Sequence, residues 1–193
     1  MSDGFTLDSN VKGGLMKGLG RMFSGESLFM ATYTASRPDS VIAFASTVPG
    51  KILAIDTAKT SLICQKGAFL CAQPTVEINT VLTKKFTAGF FGGEGFILQQ
   101  IQGSGMAFLE VDGDVVERVL APGEVIKVDT GNVFAFEPSV SYEIETMKGV
   151  KNILFGGEGL FLTKLTGPGK VYMQTMNIAE FTGRIAQGLP TSK

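Results

Sequence analysis

Apolar and polar residues alternate with a period close to two along much of the chain. Val76-Glu-Ile-Asn-Thr-Val-Leu82, Gly123-Glu-Val-Ile-Lys-Val-Asp129 and Val140-Ser-Tyr-Glu-Ile-Glu-Thr146 all follow this pattern. Each is rich in β-branched residues and bounded by Gly, Pro or Asp, which predicts short strands joined by turns. Pro-Gly pairs at Pro49, Pro122 and Pro168 supply turn geometry, because Pro presets φ and Gly accepts positive φ. Helical periodicity is scarce. The best candidate starts at Asn177, an N-cap residue with Glu180 three positions on, and places Ile178, Phe181 and Ile185 on one face. That helix, about 178–188, is expected to seal an open end of the sheet structure.

The strand-like segments belong to a repeat. Phe23-Ser-Gly-Glu-Ser-Leu-Phe29, Phe91-Gly-Gly-Glu-Gly-Phe-Ile97 and Phe155-Gly-Gly-Glu-Gly-Leu-Phe161 superpose, and their leading Phe residues stand 68 and 64 positions apart. Gly103-Ser-Gly105 and Gly167-Pro-Gly169 follow the later two at equal distance, while Gly67 and Gly131 precede them at equal distance. A period this long suits a small β-unit used three times. The expected class is all-β, with sandwich or barrel-like units of pseudo-threefold character and a short C-terminal helix. One domain is expected, its repeats spanning about 1–60, 61–125 and 126–180. The first copy is incomplete: Met1 falls opposite Ala72 and Phe136, so it has no counterpart of Leu62–Cys71. An unpaired strand edge is therefore expected beside Phe5–Leu7.

Composition narrows the chemistry. The 193 residues are 44% hydrophobic, enough to fill a core. There are 17 Lys+Arg against 18 Asp+Glu, with no run of like charge, which disfavours a tracker of nucleic-acid phosphates. No apolar run is long enough to span a membrane and no leader pattern precedes the first copy, so a soluble cytoplasmic protein is expected. With no His, imidazole general bases, Ser-His-Asp triads and His-containing metal sites are excluded. Cys64 and Cys71 sit in apolar runs and read as buried thiols.

The glycine-rich turns are the candidate sites: Gly25 and Glu26 in the first copy, Gly92, Gly93, Glu94 and Gly95 in the second, and Gly156, Gly157, Glu158 and Gly159 in the third. Their backbone amides could cradle an anion and their carboxylates a cation. The stronger reading is structural, with glycine permitting the backbone path and Glu accepting neighbouring amides. Lys12-Gly-Gly-Leu-Met-Lys-Gly-Leu-Gly-Arg21 lacks the phosphate-loop order and reads as a surface insertion. Asp112-Gly-Asp114 reads as a hairpin turn before it reads as a metal site. No catalytic residue, cofactor or metal is assigned.

The combination of Gln65-Lys-Gly-Ala-Phe-Leu70, Phe91-Gly-Gly-Glu-Gly95, Asp129-Thr-Gly131 with Ala135-Phe136, and Phe155-Gly-Gly-Glu-Gly-Leu-Phe161 resembles one family over about Met1 to Phe181. It is the bacterial and mitochondrial family that includes the mitochondrial biogenesis protein named for altered inheritance of mitochondria, number twenty-four. The resemblance implies a fold like the tryptophan RNA-binding attenuator protein, built of repeated β-units that assemble into oligomers, and it implies no catalytic residues. Family members carry further strands ahead of this segment, so either the start is shortened or another chain covers the edge. The expected function is a non-enzymatic scaffold or ligand-binding protein acting as a homo-oligomer. An alternative is RNA or small-ligand binding of the attenuator kind, through a stripe of Lys12, Lys17, Arg21, Lys84 and Lys85. An enzyme working through paired repeat carboxylates is the third possibility.

Overall fold

The period-two segments fold as strands, and the described residues contain little else. A computed structural model describes residues 1–10, 30–81, 97–146 and 161–189. The strands are β1 (Phe5–Asn10), β2 (Met30–Ala35), β3 (Gly50–Asp56), β4 (Leu62–Gln65), β5 (Phe69–Ala72), β6 (Val76–Val81) and β7 (Leu98–Gly103). They continue with β8 (Met106–Asp112), β9 (Val115–Leu120), β10 (Val125–Asp129), β11 (Val133–Phe136), β12 (Ser141–Thr146), β13 (Phe161–Thr166) and β14 (Gly169–Gln174). Helix α1 covers Ile178–Gly188, and tight 3-10 turns at Lys66–Ala68 and Thr130–Asn132 link β4 to β5 and β10 to β11.

The chain divides into two compact units. Met1–Ala45 with Thr80–Leu98 form one, and Ser46–Asn79 with Gln99–Lys193 form the other. In the first unit β1 and β2 make a two-stranded antiparallel ribbon, with Phe5 opposite Ala35 and Leu7 opposite Tyr33. Ser36 closes its end, its amide and hydroxyl both donating to the Gly4 carbonyl, at 2.7 and 2.8 Å. The Tyr33 and Phe44 rings meet edge to face, 5.5 Å between centroids.

The other strands form a six-stranded sheet in the order β6-β7-β4-β11-β14-β9 and two three-stranded sheets, β10-β13-β12 and β3-β8-β5. The orders echo one another. β7 lies between β6 and β4 as β13 lies between β12 and β10, and β8 lies between β3 and β5 as β14 lies between β9 and β11. Alternation along β8 and β13 turns every second residue inward. The core gathers Ile55, Leu62, Cys64, Ile101, Leu109, Val111, Phe134 and Tyr172.

Two expectations are corrected. Asp112-Gly-Asp114 is not a hairpin, because β8 and β9 lie in different sheets and the turn is a corner between them. Gly113, at φ +73°, donates its amide to the Pro49 carbonyl, and Asp114 exchanges bonds with Thr175, so the chain is held across the corner instead of folding back. Helix α1 forms where expected, capped by Asn177 Oδ1 accepting from the Ala179 amide at 3.0 Å, but it seals nothing among the described residues. None of its side chains is buried; Phe181 is 41% and Ile185 49% exposed.

Leu109 is wholly enclosed in the core, whereas Val119 on β9 is 69% exposed. Leu109→Ala is expected to cost about 2–5 kcal/mol through lost burial and a residual cavity, and Val119→Ala to stay within about 0.5 kcal/mol. Urea unfolding of both variants checks the contrast.

Candidate functional site

The glycine-rich turns proposed from the sequence, carrying Glu26, Glu94 and Glu158, lie outside the described residues, as do Lys12, Lys17, Arg21, Lys84 and Lys85. What the described residues bring together is a polar seam around the turn after β10. Asp129 ends that strand and its Oδ1 accepts from the Gly131 amide at 2.9 Å, which bends the chain into the 3-10 turn. Thr130, buried, donates its hydroxyl to the Phe161 carbonyl and accepts from the Thr163 hydroxyl, both at 3.0 Å. Gln174 Nε2 donates to the Gly131 carbonyl at 2.9 Å, and Asn132 Nδ2 returns a bond of 2.9 Å to the Gln174 carbonyl. Gln65 from β4 donates to the Val133 carbonyl.

Gly131 is required by close approach. A Cβ there would fall 1.8 Å from Asn177 Nδ2, so the cap of α1 occupies the space that glycine leaves. The equivalent Gly67 faces open space. Asp112 ties the same region to the helix, since its Oδ2 accepts from the Ile178 amide at 3.1 Å. Burial pushes the Asp112 carboxyl above the usual carboxylate range, the Ile178 amide opposes that rise, and the nearby Glu110 charge adds to it.

Chemically, the seam is a set of amides and hydroxyls that satisfy one another. It joins β4, β10, β11, β13 and β14 to the start of α1. The repeat spacing had singled out Gly131, and the capping pattern Asn177. Thr163, Gln174 and Asn132 carried no comparable signal, because their partners are distant in sequence. The buried Gln99 Oε1 has no hydrogen-bond partner among the described residues. Among the described residues, no three His, Cys, Asp or Glu side chains cluster closely enough to hold a metal ion.

Both cysteines are free thiols. Burial pushes Cys64 up to about 12, and raises the half-buried Cys71 as well.

The comparisons with known proteins agree with this architecture. A family model described as Mitochondrial biogenesis AIM24 matches residues 1–176. The chain belongs to the AIM24 family. An uncharacterized protein of Streptococcus pyogenes serotype M6 is 29% identical over 181 residues, covering 93% of this chain and 72% of that protein. The X-ray structure of a protein from Streptococcus pyogenes, a structural genomics target, superposes with a TM-score of 0.71 at 23% identity, covering 97% of this chain and 84% of that one. That likeness establishes a shared fold. The residues matched to the AIM24 family stop just short of α1. Among the described residues, no helix is long and apolar enough to cross a membrane.

Two outcomes test the site. In native protein Cys64 is expected to resist alkylation by N-ethylmaleimide and to react fully once the chain is unfolded, as read by intact mass. For Asp112 the folded state holds a proton to higher pH than the unfolded chain, so its ionised form costs stability at neutral pH and the cost fades as pH falls. Asp112→Asn keeps an oxygen for the Ile178 amide. It is expected to be more stable than the parent near neutral pH, with the advantage shrinking in acid; an advantage that grows in acid would overturn the assignment.

Proposed function

We propose that this member of the AIM24 family is a non-enzymatic scaffold or ligand-binding protein that acts as a homo-oligomer in the cytoplasm. The observation that carries the reading is the placement of exposed apolar side chains on regular elements. Val116 and Val119 project from β9, Ile52 from β3, and Phe181 and Ile185 from α1, with Leu189 just after it. Apolar groups held exposed on regular strands and on one helical face are what a protein contact buries. The chemistry of the described residues points the same way. Its ion pairs, such as Lys51 with Asp114 at 2.7 Å and Lys164 with Glu143 at 3.1 Å, lie at the surface. Its buried polar groups mostly bond to each other, which suits a rigid platform. The resemblance to attenuator-type assemblies of β-units supports the same reading.

Native mass spectrometry of protein isolated from its own cells tests it by reporting subunit number and retained ligand together. A multiple of the 20.5 kDa chain mass is expected. A monomer at tens of micromolar with nothing bound overturns the oligomer.

A further inference from the structure

The chain beyond β14 is fastened residue by residue, and then the fastening stops. The Thr175 amide donates to the Asp114 carbonyl at 2.9 Å and the Met176 amide to the Asp112 carbonyl at 3.3 Å. Asn177 lies over Gly131, so close that a Cβ there would strike its Nδ2 and Cγ. Ile178 is tied by its amide to Asp112 Oδ2. From Phe181 to Leu189 every residue is exposed. The helix is thus joined to the strands at its first turn, and the rest of it stands in solvent.

Elementary helix physics makes that join decisive. The first amides of a helix have no partner inside it. Here the mooring satisfies two of them, Ile178 through Asp112 and Ala179 through Asn177 Oδ1. The first internal bond, from the Phe181 amide to the Asn177 carbonyl at 2.9 Å, follows from there. A helix of 11 residues is too short to hold itself in water, because nucleation costs more than so few turns return. Gly183 lowers its intrinsic preference further, and the Thr182 hydroxyl bonds back to the Ile178 and Ala179 carbonyls, which favours bending. Packing does not compensate for this, since the side chains from Phe181 onward are exposed.

We propose that α1 is a latched arm. It is helical while Asn177 occupies the space over Gly131 and Asp112 holds the Ile178 amide, and it releases and melts as a unit, hinged after Met176, with the strands intact. Gly131 does not take positive φ, so glycine is needed there for room and not for backbone shape. At the other 3-10 turn a Cβ on Gly67 would meet nothing within 4 Å, so the notch belongs to the turn that carries the helix. While latched, the arm holds Phe181 and Ile185 one helical turn apart on one face; on release that face disperses. The latch therefore controls whether an apolar helical surface is presented.

Hydrogen exchange of the full chain, read by mass spectrometry on peptides covering α1, β13 and β14, tests this. In the parent, the α1 amides are expected to exchange through an opening that urea hardly accelerates, at least about tenfold faster than those of β14. Gly131→Ala drives Asn177 from its place and is expected to speed α1 exchange at least about fivefold, while β13 and β14 keep the parent's rates. Gly67→Ala adds the same methyl group to open space and is expected to change nothing in α1. If α1 of the parent opens only together with the strands, or if Gly131→Ala leaves its exchange unaltered, the proposal is overturned. Should Gly131→Ala disturb the strands as well, Asn177→Ala decides, because it removes the cap without adding bulk to the turn. Faster exchange confined to α1 then supports the latch, and exchange that is unchanged, or raised equally in the strands, overturns it.

Discussion

A strand in the middle of a sheet needs a neighbour on each side, and this chain meets that need with strands remote in sequence. β9 pairs with β14, and β4 pairs with β11. The six-stranded sheet is therefore continuous through pairings between strands far apart in the chain. An unmatched backbone amide or carbonyl in such a sheet costs as much as a lost hydrogen bond. The repeat order thus fixes which strands lie inside and which end as edges.

The polar seam solves a related problem at the 3-10 turns. A tight turn between two buried strands exposes carbonyls to a region that water does not reach, and each must find a donor inside the protein. In the third repeat Gln174, Asn132 and Thr130 supply that bonding, and glycine at 131 lets the cap of α1 approach. The second repeat has Lys66-Gly-Ala in the same place, with open space beside Gly67. Two turns of the same backbone shape have thus been put to different uses, one as the mooring of a helix. That mooring lies at the boundary of the family-matched residues, so the helix is fastened to the shared fold through residues the fold already provides.

Much of this architecture was legible because it depends on short-range pattern. The period-two segments hold the strands Val76–Val81, Val125–Asp129 and Ser141–Thr146, and Asn177 became a cap, since turn residues and caps act locally. The all-β class follows from the same signal. What was not legible depends on long-range pairing. Asp112-Gly-Asp114 carries a hairpin signature, and only the partners of β8 and β9, remote in sequence, turn it into a corner. Ile178, Phe181 and Ile185 share a face as read, but periodicity reports that a face exists and not what covers it. The candidate turns at Glu94 and Glu158 fall outside the described residues, and the sequence marked the site built from the structure at Gln65, Asp112, Asp129, Thr130, Gly131 and Asn177.

Charge placement connects these observations. The ion pairs sit largely on the outer strands, with Lys127 to Glu145, Lys164 to Glu143, Lys170 to Glu117 and Arg118 to Glu124 all at least partly in solvent. Exposed pairs of this kind add little to folding stability, because water already solvates both partners well. Their position gives them another consequence. A fixed charge on an outer strand must be desolvated before a second strand can dock, so these residues keep the longer edges of the β10-β13-β12 sheet and the end of the six-stranded sheet from pairing indiscriminately.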